Sequence, residues 1–76
     1  MKRIGLYEIK KLAITNIRGA RVQVKDVYLN KRKSESYDYE IGDILKQGKM
    51  MLEKEGHEII GYSEGKNCYY IMTNVL

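Results

Sequence analysis

The 76-residue chain contains no proline, tryptophan or phenylalanine, and it has a single cysteine and a single histidine. One cysteine cannot form an internal disulfide framework, which fits a reducing compartment. A zinc site needs about four cysteine and histidine ligands, whereas Cys68 and His57 supply only two. We therefore expect neither a metal nor another cofactor, and the seven tyrosines carry the aromatic bulk.

Long hydrophobic runs are also missing. No apolar stretch approaches the ~18 residues of a membrane span, and the N-terminus lacks the hydrophobic core of a signal peptide. We expect a cytoplasmic protein that does not contact a membrane. The length predicts one small domain over residues 1–76, which would bury only about 60% of its unfolded surface.

One helix is predicted over residues 39–55. Its apolar stripe recurs at helical spacing and consists of Ile41, Ile44, Leu45, Gly48, Met51 and Leu52. Asp38 is the expected N-cap, and Gly56 fits the left-handed position that ends a helix. Gly48 lies on the apolar stripe, where a glycine is explained by close approach of the helix to a sheet.

A hairpin is predicted over residues 57–75, with its turn within Glu64–Lys66. A loop at Gly65-Lys66 would place Tyr62 opposite Tyr69 and Ile59 opposite Met72, and a loop at Glu64-Gly65 would shift the pairing. Both sides of this hairpin are apolar. Because one helix covers one side of a sheet, Tyr62 and Tyr69 are candidate contacts for a partner, including a second copy of the chain.

A longer hairpin is predicted over residues 6–30, with a tight loop at residues 17–19. The register that pairs only apolar residues places Leu12 opposite Val24 and Ile14 opposite Val22. It requires both strands to change phase midway, as a twisted or bulged hairpin would. The competing interpretation is a short helix over residues 3–13. A polar loop over residues 31–38 leads to the main helix.

Charge is distributed unevenly, although the net charge is only +4. Residues 1–33 carry ten Lys and Arg against two Asp and Glu, or +8, whereas residues 34–76 carry four against eight, or −4. The first part is expected either to contact an anionic partner or to attract the second part. The candidate contacts are Lys11, Arg21 and Lys25 on one exposed stripe, Arg18 in the loop at the hairpin tip, and Lys31, Arg32 and Lys33 in the polar loop.

Catalytic arrangements are not evident. His57 and Cys68 would lie several rungs apart in either register of the second hairpin, too far for a nucleophilic pair. No glycine-rich stretch precedes a helix as a phosphate loop does. The sequence therefore predicts a protein that is not an enzyme.

One resemblance concerns the run from Leu52 to Ile60 followed by Gly65 to Tyr70. It resembles the helix and hairpin of HicA-type toxins, which are RNA-cleaving proteins with a double-stranded-RNA-binding-like fold. That family carries Gly-Ser-His at the turn, with a catalytic histidine, whereas Lys66 and Asn67 follow Gly65 here. The resemblance covers under a third of the chain and implies at most a degenerate toxin.

These features together predict an α+β domain of order β-β-α-β-β, with one helix packed on one antiparallel sheet. The first function hypothesis is a binding protein that docks on a protein or nucleoprotein complex and inhibits or regulates it. By size and composition it is similar to phage or mobile-element accessory inhibitors of the anti-CRISPR type. The alternative is a nucleic-acid-binding protein that uses the basic hairpin and tyrosine stacking. A degenerate HicA-like toxin is the third.

Overall fold

A computed structural model describes residues 3–14 and 19–75. Within them, five strands form one antiparallel sheet and one helix packs on it, which confirms the predicted α+β class. In chain order the elements are β1 (Arg3–Leu12), β2 (Arg21–Asp26), β3 (Lys31–Ser36), α1 (Ile44–Lys54), β4 (His57–Gly65) and β5 (Cys68–Val75). The strand order in the sheet is β3-β2-β1-β5-β4, so β1 is the central strand.

The predicted loop over residues 31–38 is wrong, because most of it is strand β3. All six residues of β3 are exposed, and the strand pairs with β2 from Asp26↔Lys31 to Arg21↔Ser36. The turn before it is built on Asp26, whose Oδ1 accepts hydrogen bonds from the backbone N–H groups of Tyr28 (2.9 Å) and Leu29 (3.0 Å). An exposed edge strand needs no apolar alternation, so its sequence resembles a loop.

The predicted register of the first hairpin is also wrong, by three residues. Leu12 pairs with Arg21 instead of Val24, and Ile9 pairs with Val24. This offset places Tyr7 and Ile9 on the same face as Val22 and Val24, and all four are buried without a change of phase. The competing helix over residues 3–13 is excluded by β1, and the predicted loop at residues 17–19 falls mostly outside the described residues.

The helix begins later than predicted, at Ile44 instead of residue 39. Its N-cap is Asp43, whose Oδ1 accepts a hydrogen bond from the Leu45 N–H at 2.9 Å. Asp38, the predicted cap, instead closes a turn by accepting from the Glu40 N–H at 2.9 Å. Gly42 follows with a φ of 69°, a left-handed conformation that interrupts a helix. Gly56, with a φ of 91°, ends the helix as predicted.

The capping assignment can be tested directly. Asp43→Ala is expected to destabilise the protein by about 1 kcal/mol, because the Leu45 N–H loses its acceptor. Amide hydrogen exchange at Leu45 should accelerate. Asp38→Ala should leave exchange at Leu45 unchanged, since its side chain accepts from residues that precede the helix. Equal acceleration at Leu45 in both variants would contradict the assignment.

The second hairpin turns at Lys66-Asn67, one residue later than the predicted loop at Gly65-Lys66 and two later than the alternative at Glu64-Gly65, and Asn67 adopts the left-handed conformation with a φ of 59°. Tyr62 consequently pairs with Ile71 instead of Tyr69. A bulge between Ile59 and Gly61 shifts the register again, so Ile59 pairs with Thr73 instead of Met72. An asparagine in this conformation supplies the turn that the prediction assigned to glycine.

The core lies between the helix and one face of the sheet. It consists of Tyr7, Ile9, Val22, Val24, Met51, Leu52 and Ile71. The expected close approach at Gly48 is confirmed, because a Cβ there would come within 2.8–2.9 Å of three side-chain atoms of Ile9. The helix therefore lies directly over the central strand.

Candidate functional site

The two faces of the sheet differ in what covers them. Ile9, Val22 and Ile71 pack under α1, and side chains alternate along a strand, so their neighbours point to the other face. No described element lies over that second face, which we call the open face. Its main side chains are Ile4, Leu6, Glu8, Lys10 and Leu12 of β1, Arg21, Gln23 and Lys25 of β2, Arg32, Ser34 and Ser36 of β3, Glu58 and Ser63 of β4, and Cys68, Tyr70, Met72 and Asn74 of β5. Ile60, at the bulge of β4, has no paired residue and is assigned to this face because it follows Ile59, which packs against the core on the other face.

The half of the open face formed by β1, β5 and β4 carries an apolar patch, bordered by the polar side chains of Glu8, Glu58 and Asn74. Ile4 is 57% exposed, and Met72 and Ile60 are each 45% exposed. Leu6 is half-buried and lies directly opposite Met72, which in turn lies opposite Gly61. Apolar side chains that adjoin one another in this way are typical of an interaction surface, in contrast to single exposed residues.

The other half of the open face is basic. Lys25 and Arg32 lie directly opposite each other on β2 and β3, and Lys10 and Arg21 lie nearby. Like charges at directly opposed positions repel. Lys25 also lies directly opposite Glu8 on β1, which partly offsets this repulsion, although neither Lys25 nor Arg32 forms an ion pair with any described residue.

Exposure of the basic residues differs from the sequence prediction. Arg21 and Lys25 are half-buried instead of fully exposed, because they lie within the paired region of the sheet. The Arg21 Nε atom is buried without a hydrogen-bond partner among the described residues. Arg32 is exposed on the edge strand. Arg18, predicted at the hairpin tip, lies outside the described residues.

The other predicted contact residues lie on the helix side of the sheet. The predicted stripe of Lys11 with Arg21 and Lys25 is therefore wrong, because the three-residue offset moves Lys11 to the opposite face from the other two. The Lys11 Nζ lies 4.4 Å from the centre of the Tyr37 ring. Lys31 also lies on this side, and Lys33 forms a salt bridge with Glu55. The hydrogen bond to Glu55 and its negative charge raise the pKa of Lys33.

The two candidate tyrosines also lie on the helix side. Tyr62 is 57% exposed, and the Lys49 Nζ lies 4.6 Å from the centre of its ring. Tyr69 is half-buried and packs against the core. They share a face but do not lie opposite each other, and they do not adjoin the cations of the open face.

Several residues of the open face were not among the predicted contacts: Ile4, Leu6, Lys10, Ile60 and Met72. The sequence signal that would have indicated Lys10 is the alternation of the apolar residues Tyr7 and Ile9, both of which are buried. Because side chains alternate along a strand, the even-numbered residues of β1 lie on the other face. Met72 was assigned to the second apolar side of the last hairpin, and it does lie there, on the opposite side from Ile71.

His57 belongs to the helix side and is mostly buried. Its Nε2 lies 3.3 Å from the Tyr7 hydroxyl, and its Nδ1 lies 3.4 Å from Thr73 Oγ1. Glu55 Oε2 approaches its Nε2 at 3.9 Å. Cys68 lies at the other end of the hairpin, opposite Gly65. His57 thus links its own strand β4 to β1 and β5 by packing and hydrogen bonding, and this structural role explains why a histidine lies at this position.

Tyr70 and Cys68 lie at the boundary between the two halves of the open face. The hydrogen bond with Cys68 is the largest cause that raises the pKa of the Tyr70 phenol, and electrostatic interactions with Cys68 and Glu8 raise it further. The Tyr70 hydroxyl also donates to Glu8 Oε2 at 3.5 Å. Tyr70 is therefore a neutral hydrogen-bond donor at physiological pH.

The chain matches no protein-family model, no curated protein and no solved structure. In residues 3–14 and 19–75, no helix combines the length and apolar character needed to span a membrane. The same residues contain no group of three His, Cys, Asp or Glu side chains that could hold a metal ion. A functional proposal must therefore be built from the surface of the molecule.

Proposed function

We propose that this chain is a cytoplasmic binding protein that docks through its open face on a protein or nucleoprotein complex and inhibits or regulates it. The observation that carries the proposal is the juxtaposition of exposed apolar side chains, Ile4 and Met72, with the cations Lys25 and Arg32, which form no ion pair with any described residue, on one uncovered sheet face. The free Cys68 supports a reducing compartment.

The chemistry of this face defines the partner. Ile4, Ile60 and Met72 require an apolar surface that removes them from water, since burial of apolar area drives association. Lys25 and Arg32 require carboxylates beside that surface, because buried cations without partners would oppose binding. The partner is therefore a protein surface whose apolar centre is flanked by acidic residues.

On the open face, a protein partner is favoured over nucleic acid by the scarcity of aromatic rings beside its cations. Base stacking along a phosphate-tracking surface needs aromatic rings and cations on the same face. Tyr62 and Tyr69 lie on the helix side, whereas Arg21, Lys25 and Arg32 lie on the open face. Among the described strand residues, Tyr70 is the only tyrosine on the open face, and it is half-buried.

A docking protein of this kind acts by occupying a surface that its partner needs. Inhibitors of the anti-CRISPR type are one class that works in this way, and the size and composition of this chain are similar to theirs. This proposal requires no catalytic group from the chain.

The experiment uses two matched methionines, Met72 on the open face (45% exposed) and Met50 on the helix (48% exposed). A photo-reactive amino acid is placed at either position, and crosslinking is carried out in cells of the natural host. We expect a protein adduct at position 72 and little at position 50. Lys25→Glu should reduce the adduct about tenfold by repelling the partner's carboxylates. Lys46→Glu, a charge reversal on the exposed helix surface, should not.

Three other results of the crosslinking experiment would each contradict the proposal in a different way. A nuclease-sensitive adduct at position 72 would overturn the proposal in favour of the nucleic-acid hypothesis. An adduct of the chain with itself would identify a second copy as the occupant, in place of a foreign protein. Equal adducts at positions 72 and 50, or a yield unaffected by Lys25→Glu, would exclude the open face as the docking surface.

A further inference from the structure

We propose that the edge strand β3 is a second docking element, which pairs through its free backbone groups with an extended acidic segment of a partner protein. This inference concerns the edge of the sheet and does not depend on the proposed role of the open face. It rests on the hydrogen-bonding pattern of β3, its regularity, its charge and the space beside it.

The hydrogen-bonding pattern shows which backbone groups of β3 are free. The Tyr37 N–H donates to the Ala20 carbonyl oxygen at 2.9 Å, so residues 20 and 37 form a hydrogen-bonded pair in the register of β2 and β3. Such pairs alternate with non-bonded pairs in antiparallel sheets. The backbone groups of Lys31, Lys33 and Glu35 therefore face β2, and those of Arg32, Ser34 and Ser36 point outward. The Ser36 carbonyl oxygen already accepts a hydrogen bond from Gln47 Nε2 at 2.8 Å, so the outward groups left for a partner are those of Arg32 and Ser34 and the N–H of Ser36.

The two edge strands of the sheet, β4 and β3, differ in whether they can pair with another strand. Strand β4, at the other edge, contains a bulge between Ile59 and Gly61, and a bulge interrupts the row of backbone groups that another strand would need. Strand β3 pairs with β2 over six consecutive residues without a shift. A regular edge of this length matches a typical strand and can accept another one.

Charge selects the chemistry of the incoming segment. Lys31 and Lys33 project on the helix side of β3, where Lys33 is paired with Glu55, and Arg32 projects on the open face. With Glu35 as its one carboxylate, the strand carries three cations against one anion, or +2. Lysines at an edge ordinarily prevent pairing with like-charged strands. The same charges favour a segment that carries carboxylates, because specificity is a difference between accepted and rejected partners.

Space beside the strand allows the added side chains to lie flat on the sheet. A cleft of about 330 Å³ separates β3 from the end of α1, and its lining includes Val24, Met51 and Lys31. The Lys33–Glu55 salt bridge joins β3 to the C-terminal end of the helix across this cleft, and the Gln47 side chain joins the helix to Ser36 at the other end of the strand. On the other side of the sheet, β3 adjoins the uncovered open face. An added strand can therefore lie beside Arg32 and Ser34, whereas Gln47 occupies the Ser36 carbonyl at the end of β3.

The test uses the isotopically labelled protein and a short synthetic peptide of alternating Glu and Thr, with a Lys and Thr peptide of equal length as the control. At saturating Glu-Thr peptide, amide hydrogen exchange at Arg32, Ser34 and Ser36 should slow by about tenfold, because these N–H groups gain acceptors. Exchange at Lys33 and Glu35 should change little, since their N–H groups already bond to β2. The Lys-Thr peptide should have no effect.

Two variants of one residue separate strand pairing from simple charge attraction. Ser34→Pro removes an outward N–H without removing a bond to β2, a position where an edge strand tolerates proline. It should weaken peptide binding about tenfold, whereas Ser34→Ala, which keeps the N–H, should not. Equal binding by both variants, or unchanged exchange at Arg32 and Ser36, would overturn the proposal. The cations of β3 would then serve only to prevent the edge strand from pairing with other chains. If Ser34→Pro does not fold, exchange in the Ser34→Ala protein decides.

The result of the peptide experiment on β3 is independent of the crosslinking experiment on the open face. Ser34→Pro leaves Ile4, Ile60 and Met72 in place, so crosslinking from position 72 can succeed when strand pairing fails. The reverse also holds, because the peptide experiment does not require the apolar half of the open face.

Discussion

Replacing Leu52 with alanine is expected to unfold much of the protein near physiological temperature. The Leu52 side chain is 1% exposed and belongs to the core between α1 and the sheet. Its truncation should lower the free energy of unfolding by about 2–5 kcal/mol, through lost burial and the cavity left behind. A domain of this size has a total stability of only ~5 kcal/mol, so the loss is comparable to the whole.

Thermal melts of three alanine variants provide the measurement and its controls. Met50→Ala, at a helix position that is 48% exposed, should shift the midpoint little. Leu45→Ala should be intermediate, because the sequence stripe treats Leu45 and Leu52 alike whereas the structure leaves Leu45 half-buried. If Leu52→Ala melts at the wild-type temperature, the core assignment is wrong.

The helix was the most predictable element, and the reason is its period. Gly48, Met51 and Leu52 of the predicted stripe are buried, whereas Ile44 and Leu45 are half-buried and the polar Gln47 is buried without having been predicted. Its end at Gly56 followed from backbone conformation alone. Its start did not, because Asp38 and Asp43 are both plausible caps and only the left-handed Gly42 between them decides which one begins the helix.

The first hairpin shows what sequence reasoning could not decide. Pairing Ile14 with Val22 maximised apolar pairs, yet Ile14 is 69% exposed in the structure. The structure instead maximises burial on one face, which is a property of the whole sheet and its covering helix. Strand β3 was not predicted for a related reason. An edge strand is held by backbone hydrogen bonds, and its exposed side chains show no pattern that would indicate a strand.

The candidate site was predictable in composition but not in arrangement. The cations Arg21, Lys25 and Arg32 were identified from charge, and the structure places them on one face. Assigning Lys11 to the same face failed, because an error of an odd number of residues in the register exchanges the faces. The apolar half of the open face, including Ile4 and Met72, became visible only when the order of the strands placed β1 beside β5.

The close contact between Gly48 and Ile9 leads to an expected result that is opposite to the usual rule for helices. At an exposed helix position, replacing glycine with alanine stabilises a protein by about 1 kcal/mol. At Gly48 the new Cβ would lie 2.8 Å from Ile9 Cδ1 and 2.9 Å from its Cγ1 and Cγ2. Ile9 is fully buried and cannot move aside. Gly48→Ala should therefore destabilise the protein, and Gly48→Val should do so by about 1–3 kcal/mol.

A double-mutant cycle isolates this contact from helix propensity. Ile9→Ala removes all three atoms that the added Cβ would meet, at a cost of about 2–5 kcal/mol for the cavity. In that background Gly48→Ala should become stabilising, because the methyl group enters the vacated space and the gain in helix propensity remains. Urea unfolding of the four proteins gives the coupling energy. A Gly48→Ala variant that is more stable than wild type, or equal effects of the substitution in both backgrounds, would show that Ile9 does not set the distance between the helix and the central strand.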